Sequence, residues 1–105
     1  MKLNLDELIK LADDIDDQLF GDKSNEDLFK HLQEEMDEFK EATGNAEVWK
    51  NNNEFYTKYK LEQLKELGDA FFCFLSVARQ NKLDLTHGLS LTITKLQERI
   101  KFNIK

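Results

Sequence analysis

The chain has no proline in 105 residues and only four glycines, and this absence limits its possible folds more than any other feature. Proline interrupts helices by removing a backbone donor and clashing with the preceding turn, so long helices are unobstructed here. Leu5, Leu8, Ala12, Ile15 and Leu19 follow 3,4,3,4 spacing, which predicts a first amphipathic helix ending near Gly21. Ser24, with Asp27 three residues later, reads as a capping box opening a second helix. That helix carries Leu28, Leu32, Glu35, Phe39 and Ala42 on its seam and is expected to stop at Gly44. Residues 43–53, with Trp49 and three successive asparagines, are expected to form a loop, Asn53 capping the third helix. On the third helix Leu61, Leu64, Gly68, Phe71, Leu75 and Ala78 form the predicted buried seam, bordered by a stripe of Tyr59, Glu62, Glu66, Asp69, Cys73 and Ser76. A turn around residues 80–84 leads to a fourth helix with its buried face at Leu85, Leu89, Ile93, Leu96 and Ile100. Strand-like alternation and repeats are absent. The expected solution is a single all-α domain over residues 1–105, a four-helix bundle dimerised through its helix seams.

Composition narrows the classes of partner. Fifteen basic against 21 acidic side chains give a net charge of −6, the wrong sign for a nucleic-acid-backbone binder, which needs a basic face. The lone Cys73 excludes an internal disulfide and reads as a buried small hydrophobe in a reducing compartment. The start, Met1 to Glu7, has no apolar core of signal-peptide length. The longest apolar run is interrupted by Asp69 and is too short to span a bilayer. The expectation is a cytoplasmic protein that binds neither nucleic acid nor membrane.

Chemistry is concentrated in two carboxylate doublets, Glu35-x-x-Glu38 and Glu66-x-x-Asp69. Residues three apart share one side of a helix, about 5–6 Å between Cβ atoms. An isolated doublet on an acidic helix is ordinarily a solvated face, and Glu34 with Asp37, or Asp13, Asp14, Asp16 and Asp17, read that way. Glu35 differs because it occupies a seam position where a leucine would be expected. Asp69 differs because it is the only charge in the twelve residues from Leu67 to Ala78. A lone ionised carboxylate in such surroundings is costly unless compensated. Two facing doublets would make a box of four carboxylates suited to a hard divalent cation. Di-iron bundles require Glu-x-x-His, and neither His31 nor His87 follows a glutamate at that spacing. Zinc calls for His or Cys, which the stripe lacks apart from Cys73. All-oxygen ligands favour magnesium, with manganese as a substitute, and magnesium commonly shares its shell with substrate phosphates. Lys95 and Arg99, one turn apart on the fourth helix, are candidate phosphate contacts, with Asn103 one turn further on.

The segments His31-Leu-Gln-Glu-Glu-Met-Asp-Glu-Phe-Lys-Glu-Ala42 and Lys65-Glu-Leu-Gly-Asp-Ala-Phe-Phe72, together with Lys95-x-x-x-Arg99, resemble the MazG-like nucleotide pyrophosphohydrolases. The resemblance spans about residues 24–102, with Lys65 where the family often has an extra acid and a long spacer of 27 residues between Glu38 and Glu66. It implies hydrolysis of a nucleoside triphosphate to the monophosphate and pyrophosphate. It maps Glu35, Glu38, Glu66 and Asp69 onto magnesium ligands, with Glu38 or Glu34 accepting the proton of the attacking water. It also implies a homodimer or a dimer of dimers, in which Lys95 serves a neighbour's pocket. Two other classes fit the same pattern, a non-catalytic helical module that binds nucleotide or a partner, and a purely structural assembly element. Trp49 either stacks on a base or packs over a helix end.

Overall fold

The computed structural model describes residues 2–102, so Asn103 lies outside the described residues. Within them are four α-helices and no strands: α1 (Leu5–Leu19), α2 (Asn25–Val48), α3 (Asn53–Gln80) and α4 (Leu85–Lys101). Each helix begins on a side chain that accepts a hydrogen bond from the backbone amide three residues on. Asn4, Ser24, Asn52 and Asp84 do so at 2.8, 3.1, 3.1 and 3.0 Å, satisfying donors that the first turn would leave orphaned. The cap of α3 is therefore Asn52 rather than Asn53. Gly21 ends α1 as expected, at φ +63°, the left-handed conformation that glycine adopts without strain.

Gly44 does not end α2. The helix runs four residues past it, to Val48, because glycine stops a helix only where the chain turns left-handed, and Gly44 keeps a negative φ. Its cost within a helix is about 1 kcal/mol. Burial of Ala46 beyond it and the 2.9 Å hydrogen bond from Gln63 Nε2 to Thr43 Oγ1 offset that cost. The expected loop over 43–53 contracts to the short turn between Val48 and Asn53. Trp49 caps α2 and packs on Phe55 (centroids 4.7 Å apart) and Tyr59 (6.3 Å, nearly parallel). Of its two expected roles, packing over a helix end is the one observed.

The short turn folds α2 and α3 into an antiparallel hairpin, the principal packing in the molecule. Cross-helix contacts fix its register: Thr43 with Gln63, His31 with Cys73, and Asn25 with Asn81. Small buried residues, Ala42 and Ala46 on α2 and Ala70 on α3, let the two backbones approach. This register overturns the expected core of α3. The stripe that faces α2 is Tyr59, Gln63, Glu66, Ala70 and Cys73, all buried or half-buried. Leu61, Leu64 and Phe71, predicted to be the seam, are exposed, and only Leu75 and Ala78 of that row are buried. Periodicity locates the stripes of a helix but does not say which one its neighbour covers.

α1 crosses the far end of α3 and is held there by a polar clamp. Asp16, 3% exposed, accepts hydrogen bonds through Oδ2 from Ser76 Oγ and Arg79 Nε, both at 2.8 Å. Arg79 Nη2 lies 2.7 Å from the same oxygen. Gln80 Nε2 donates to Gly21 O at 2.7 Å, tying down the end of α1. Asp16, read from sequence as a solvated-face carboxylate, is thus a buried ion-pair partner. The fourth helix corrects another expectation: it buries none of its residues, and Leu89, Ile93, Leu96 and Ile100 are exposed. Among the described residues α4 makes no extended packing with α2 or α3, so most of its apolar face is uncovered there.

Removing one member of a buried ion pair strands the other, at a cost on the order of 3 kcal/mol. Asp16→Ala is expected to release α1 while the α2–α3 hairpin persists. Hydrogen exchange read by mass spectrometry checks this: protection should fall across residues 5–19 and hold across the hairpin.

Candidate functional site

The hairpin register sets the site. Since Thr43 meets Gln63 and His31 meets Cys73, an antiparallel pair in that alignment brings Glu38 opposite Glu66 and Glu35 opposite Asp69. Ligand oxygens of Glu35, Glu38 and Glu66 all lie within 4.8 Å of one another. Asp69 falls outside that tight set, yet its charge is felt by both Glu35 and Glu66. The two sequence-predicted doublets are therefore brought together, with Asp69 at the margin. Burial is graded across them. Glu35 and Glu66 are half-buried, whereas Glu38 and Asp69 are exposed, so Asp69 is not the interior charge that its apolar flanks suggest. Helix α3 turns Phe71 and Phe74 to the surface along with it.

Two cavities flank the carboxylates. One, of about 210 Å³, is lined by Phe20, Lys23, His31, Glu35, Asp69 and Phe72, among others. The other, of about 190 Å³, is lined by Glu38, Tyr59, Glu62 and Glu66 and their neighbours. Phe20 and Phe72 meet edge to face at 6.5 Å, and Lys23 Nζ sits 4.5 Å from the centre of the Phe20 ring. The first cavity thus offers an aromatic wall and a cation beside two of the carboxylates.

The electrostatics are those of an uncompensated anionic cluster. Glu35 Oε2 and Glu66 Oε2 are buried and have no hydrogen-bond partner among the described residues, a state that costs free energy unless something else occupies their lone pairs. Burial, then the nearby charge of Glu38 and Asp69, raises the Glu35 carboxyl above its ordinary value; His31 opposes the rise. Glu66 is raised by desolvation, by Glu38, and then by Asp69 and Glu35. Burial pushes the Cys73 thiol up to about 11, Glu35 adding to the effect, which is the opposite of an activated nucleophile.

Other sequence-predicted positions lie apart from this cluster. Glu34 is exposed on α2 and belongs to neither close group of ligand atoms. Lys95 and Arg99 sit on α4 and line neither cavity beside the carboxylates. Sequence reasoning missed His31 as a neighbour of Glu35 and Cys73. Its Nε2 is 3.3 Å from Glu35 Oε1, and both of its ring nitrogens are within 3.8 Å of Cys73 Sγ. A signal was present, since His31 precedes Glu35 by one helical turn and Cys73 follows Asp69 by the same interval.

No protein-family model matches the chain, and no curated protein or solved structure shows significant similarity to it.

The raised carboxyls fix a sign for the pH dependence of metal-free stability. Glu35 and Glu66 hold protons more tightly in the folded than in the unfolded chain. Their contribution is fully present below the unfolded pKa and is lost as pH rises through the folded one. Glu35→Gln is expected to raise the Tm of the metal-free protein at pH 7. Thermal melts on acidification into the carboxylate range should show this advantage shrinking.

Proposed function

We propose that this chain is a magnesium-dependent nucleoside triphosphate pyrophosphohydrolase of the MazG-like kind, releasing the monophosphate and pyrophosphate. The observation that carries the reading is the convergence of Glu35, Glu38 and Glu66, with two buried carboxylate oxygens that have no hydrogen-bond partner among the described residues. A bound cation would offset the repulsion within such a cluster, and an all-oxygen donor set suits magnesium or manganese. Glu35, Glu38, Glu66 and Asp69 would hold the ion. When bound, magnesium neutralises phosphate charge and lowers the pKa of a coordinated water.

The remaining roles belong to the chain itself. Glu38, exposed beside the second cavity, would accept a proton from water; Glu34, outside the cluster, is the weaker candidate. Phe20 and Phe72 supply an apolar wall and Lys23 a cation beside Glu35 and Asp69, a lining suited to a nucleoside and its first phosphate. Lys95 and Arg99 would grip the distal phosphates, with Asn103 as a third contact. Their own helix stands away from their own carboxylates, so they serve the site of a second copy.

Dimerisation fits the shape of the chain. Its radius of gyration is 17.0 Å, whereas a compact domain of this length has about 13 Å. Leu61, Leu64 and Phe71 on α3 and Leu89, Ile93 and Leu96 on α4 are exposed at spacings that make continuous apolar faces. Pairing these faces completes a helical bundle from two chains, and a dimer of dimers repeats the same closure.

Two measurements test the reading. Pyrophosphate release from a panel of ribo- and deoxynucleoside triphosphates is expected with magnesium and absent with EDTA. Asp69→Asn and Glu38→Gln should each abolish it. Undiminished turnover by both variants would sink the residue assignment. Stabilisation by nucleotide and magnesium without product would favour a binding module. In sedimentation, the native chain is expected at the mass of two or four copies, and Ile93→Asp combined with Leu96→Asp at the mass of one.

A further inference from the structure

A second group of ligand atoms adjoins the acidic cluster and shares Glu35 with it. His31, Glu35 and Cys73 each offer one donor atom, and the three lie within 4.8 Å of one another. The distances resemble the edges of a coordination tetrahedron. With bond lengths of about 2.0–2.1 Å to nitrogen or oxygen and about 2.3 Å to sulfur, such edges are about 3.3 Å for a nitrogen–oxygen pair and about 3.6 Å for a nitrogen–sulfur pair. His31 Nε2 is 3.3 Å from Glu35 Oε1 and 3.8 Å from Cys73 Sγ. The helices that present them are locked in register by the hairpin, so the group is set by secondary structure and not by mobile loops.

The donor set differs in kind from the four carboxylates. Thiolate and imidazole select borderline ions such as zinc over magnesium. The three residues line the cavity of about 210 Å³ together with Asp69 and Lys23. That volume leaves a fourth position for water or another small ligand, since a water molecule takes about 30 Å³. Cys73 is 6% exposed, which shields the sulfur from bulk solvent while its contact with His31 opens toward the cavity.

We propose that His31 Nε2, Glu35 Oε1 and Cys73 Sγ form a three-ligand zinc site with an open fourth position, distinct from the hard-cation site and sharing Glu35 with it. Coordination releases the thiol proton to solvent, leaves the imidazole neutral, and brings one carboxylate oxygen to the ion. The opposite oxygen, Glu35 Oε2, is buried and has no hydrogen-bond partner among the described residues, which leaves it for the hard-cation site. The site stands on the positions of these three side chains and holds whether or not the chain turns over nucleotides.

Cobalt(II) is the probe, because it takes zinc geometry and is coloured. Titrated into the full metal-free chain under a non-chelating phosphine reductant, it is expected to give a thiolate-to-cobalt absorption in the near ultraviolet. Tetrahedral bands in the visible should accompany it, saturating at one equivalent, and zinc should displace them. Cys73→Ser is expected to abolish the ultraviolet band, and His31→Ala to weaken cobalt binding at least about tenfold. His31 is half-exposed, so the second variant keeps the test decisive if the buried substitution disturbs packing; circular dichroism checks both. Absence of the band in the native chain, or unchanged cobalt binding in His31→Ala, would overturn the site. Pyrophosphate release is a separate readout, so its failure and that of the cobalt band are distinguishable.

Discussion

Everything in this molecule depends on how α2 and α3 lie against each other. Two long helices joined by a short turn have little freedom to slide, and alanines at the contact bring their backbones close. Once Thr43 is opposite Gln63 and Asn25 opposite Asn81, every position between them is fixed. The same register that pairs Glu38 with Glu66 also pairs His31 with Cys73. One geometric constraint therefore produces two neighbouring clusters of quite different ligand chemistry.

The interface is unusual for what it buries. An ordinary helical hairpin would turn its leucines inward, and α3 has a suitable row. Instead it offers α2 a stripe of tyrosine, glutamine, glutamate, alanine and cysteine, and leaves Leu61, Leu64 and Phe71 outside. Within one chain this sacrifices hydrophobic stabilisation, which amounts to about 1.5–3 kcal/mol for each large apolar side chain fully buried. The arrangement makes physical sense if the outward rows find cover in a second copy and the inward stripe finds a cation. The polar clamp at Asp16 belongs to the same economy, since it docks α1 where few apolar contacts are left to do so.

Much of this was legible in the sequence, and the limits follow from physics. Helix starts were visible because capping is local: Ser24 and Asp27 lie within one turn. Glu35 stood out because a charge in an apolar row breaks a short-range pattern, and the structure keeps it on that row. The end of α2 was misread at Gly44, because the residue type permits a left-handed turn without requiring one. The buried face of α3 was misread because that choice belongs to the partner surface. Asp16 and Arg79 are 63 residues apart, and His31 and Cys73 are 42 apart. Pairings at such distances come only from the folded register, so one carboxylate taken for a solvated charge proved to be the anchor of a helix.

The turn after Val48 has a consequence for how the sequence can change. Surface connections usually accept insertions, because added residues bulge into water without disturbing the elements they join. Here Asn52 must cap α3 and Trp49 must close α2. An extra residue is harmless only where it loops out between those two; absorbed into either helix, it turns the following side chains by about 100° and advances them about 1.5 Å. Such a shift would part Glu38 from Glu66 and His31 from Cys73 together. The length of this small turn is thus as much a determinant of the ligand clusters as the ligands themselves.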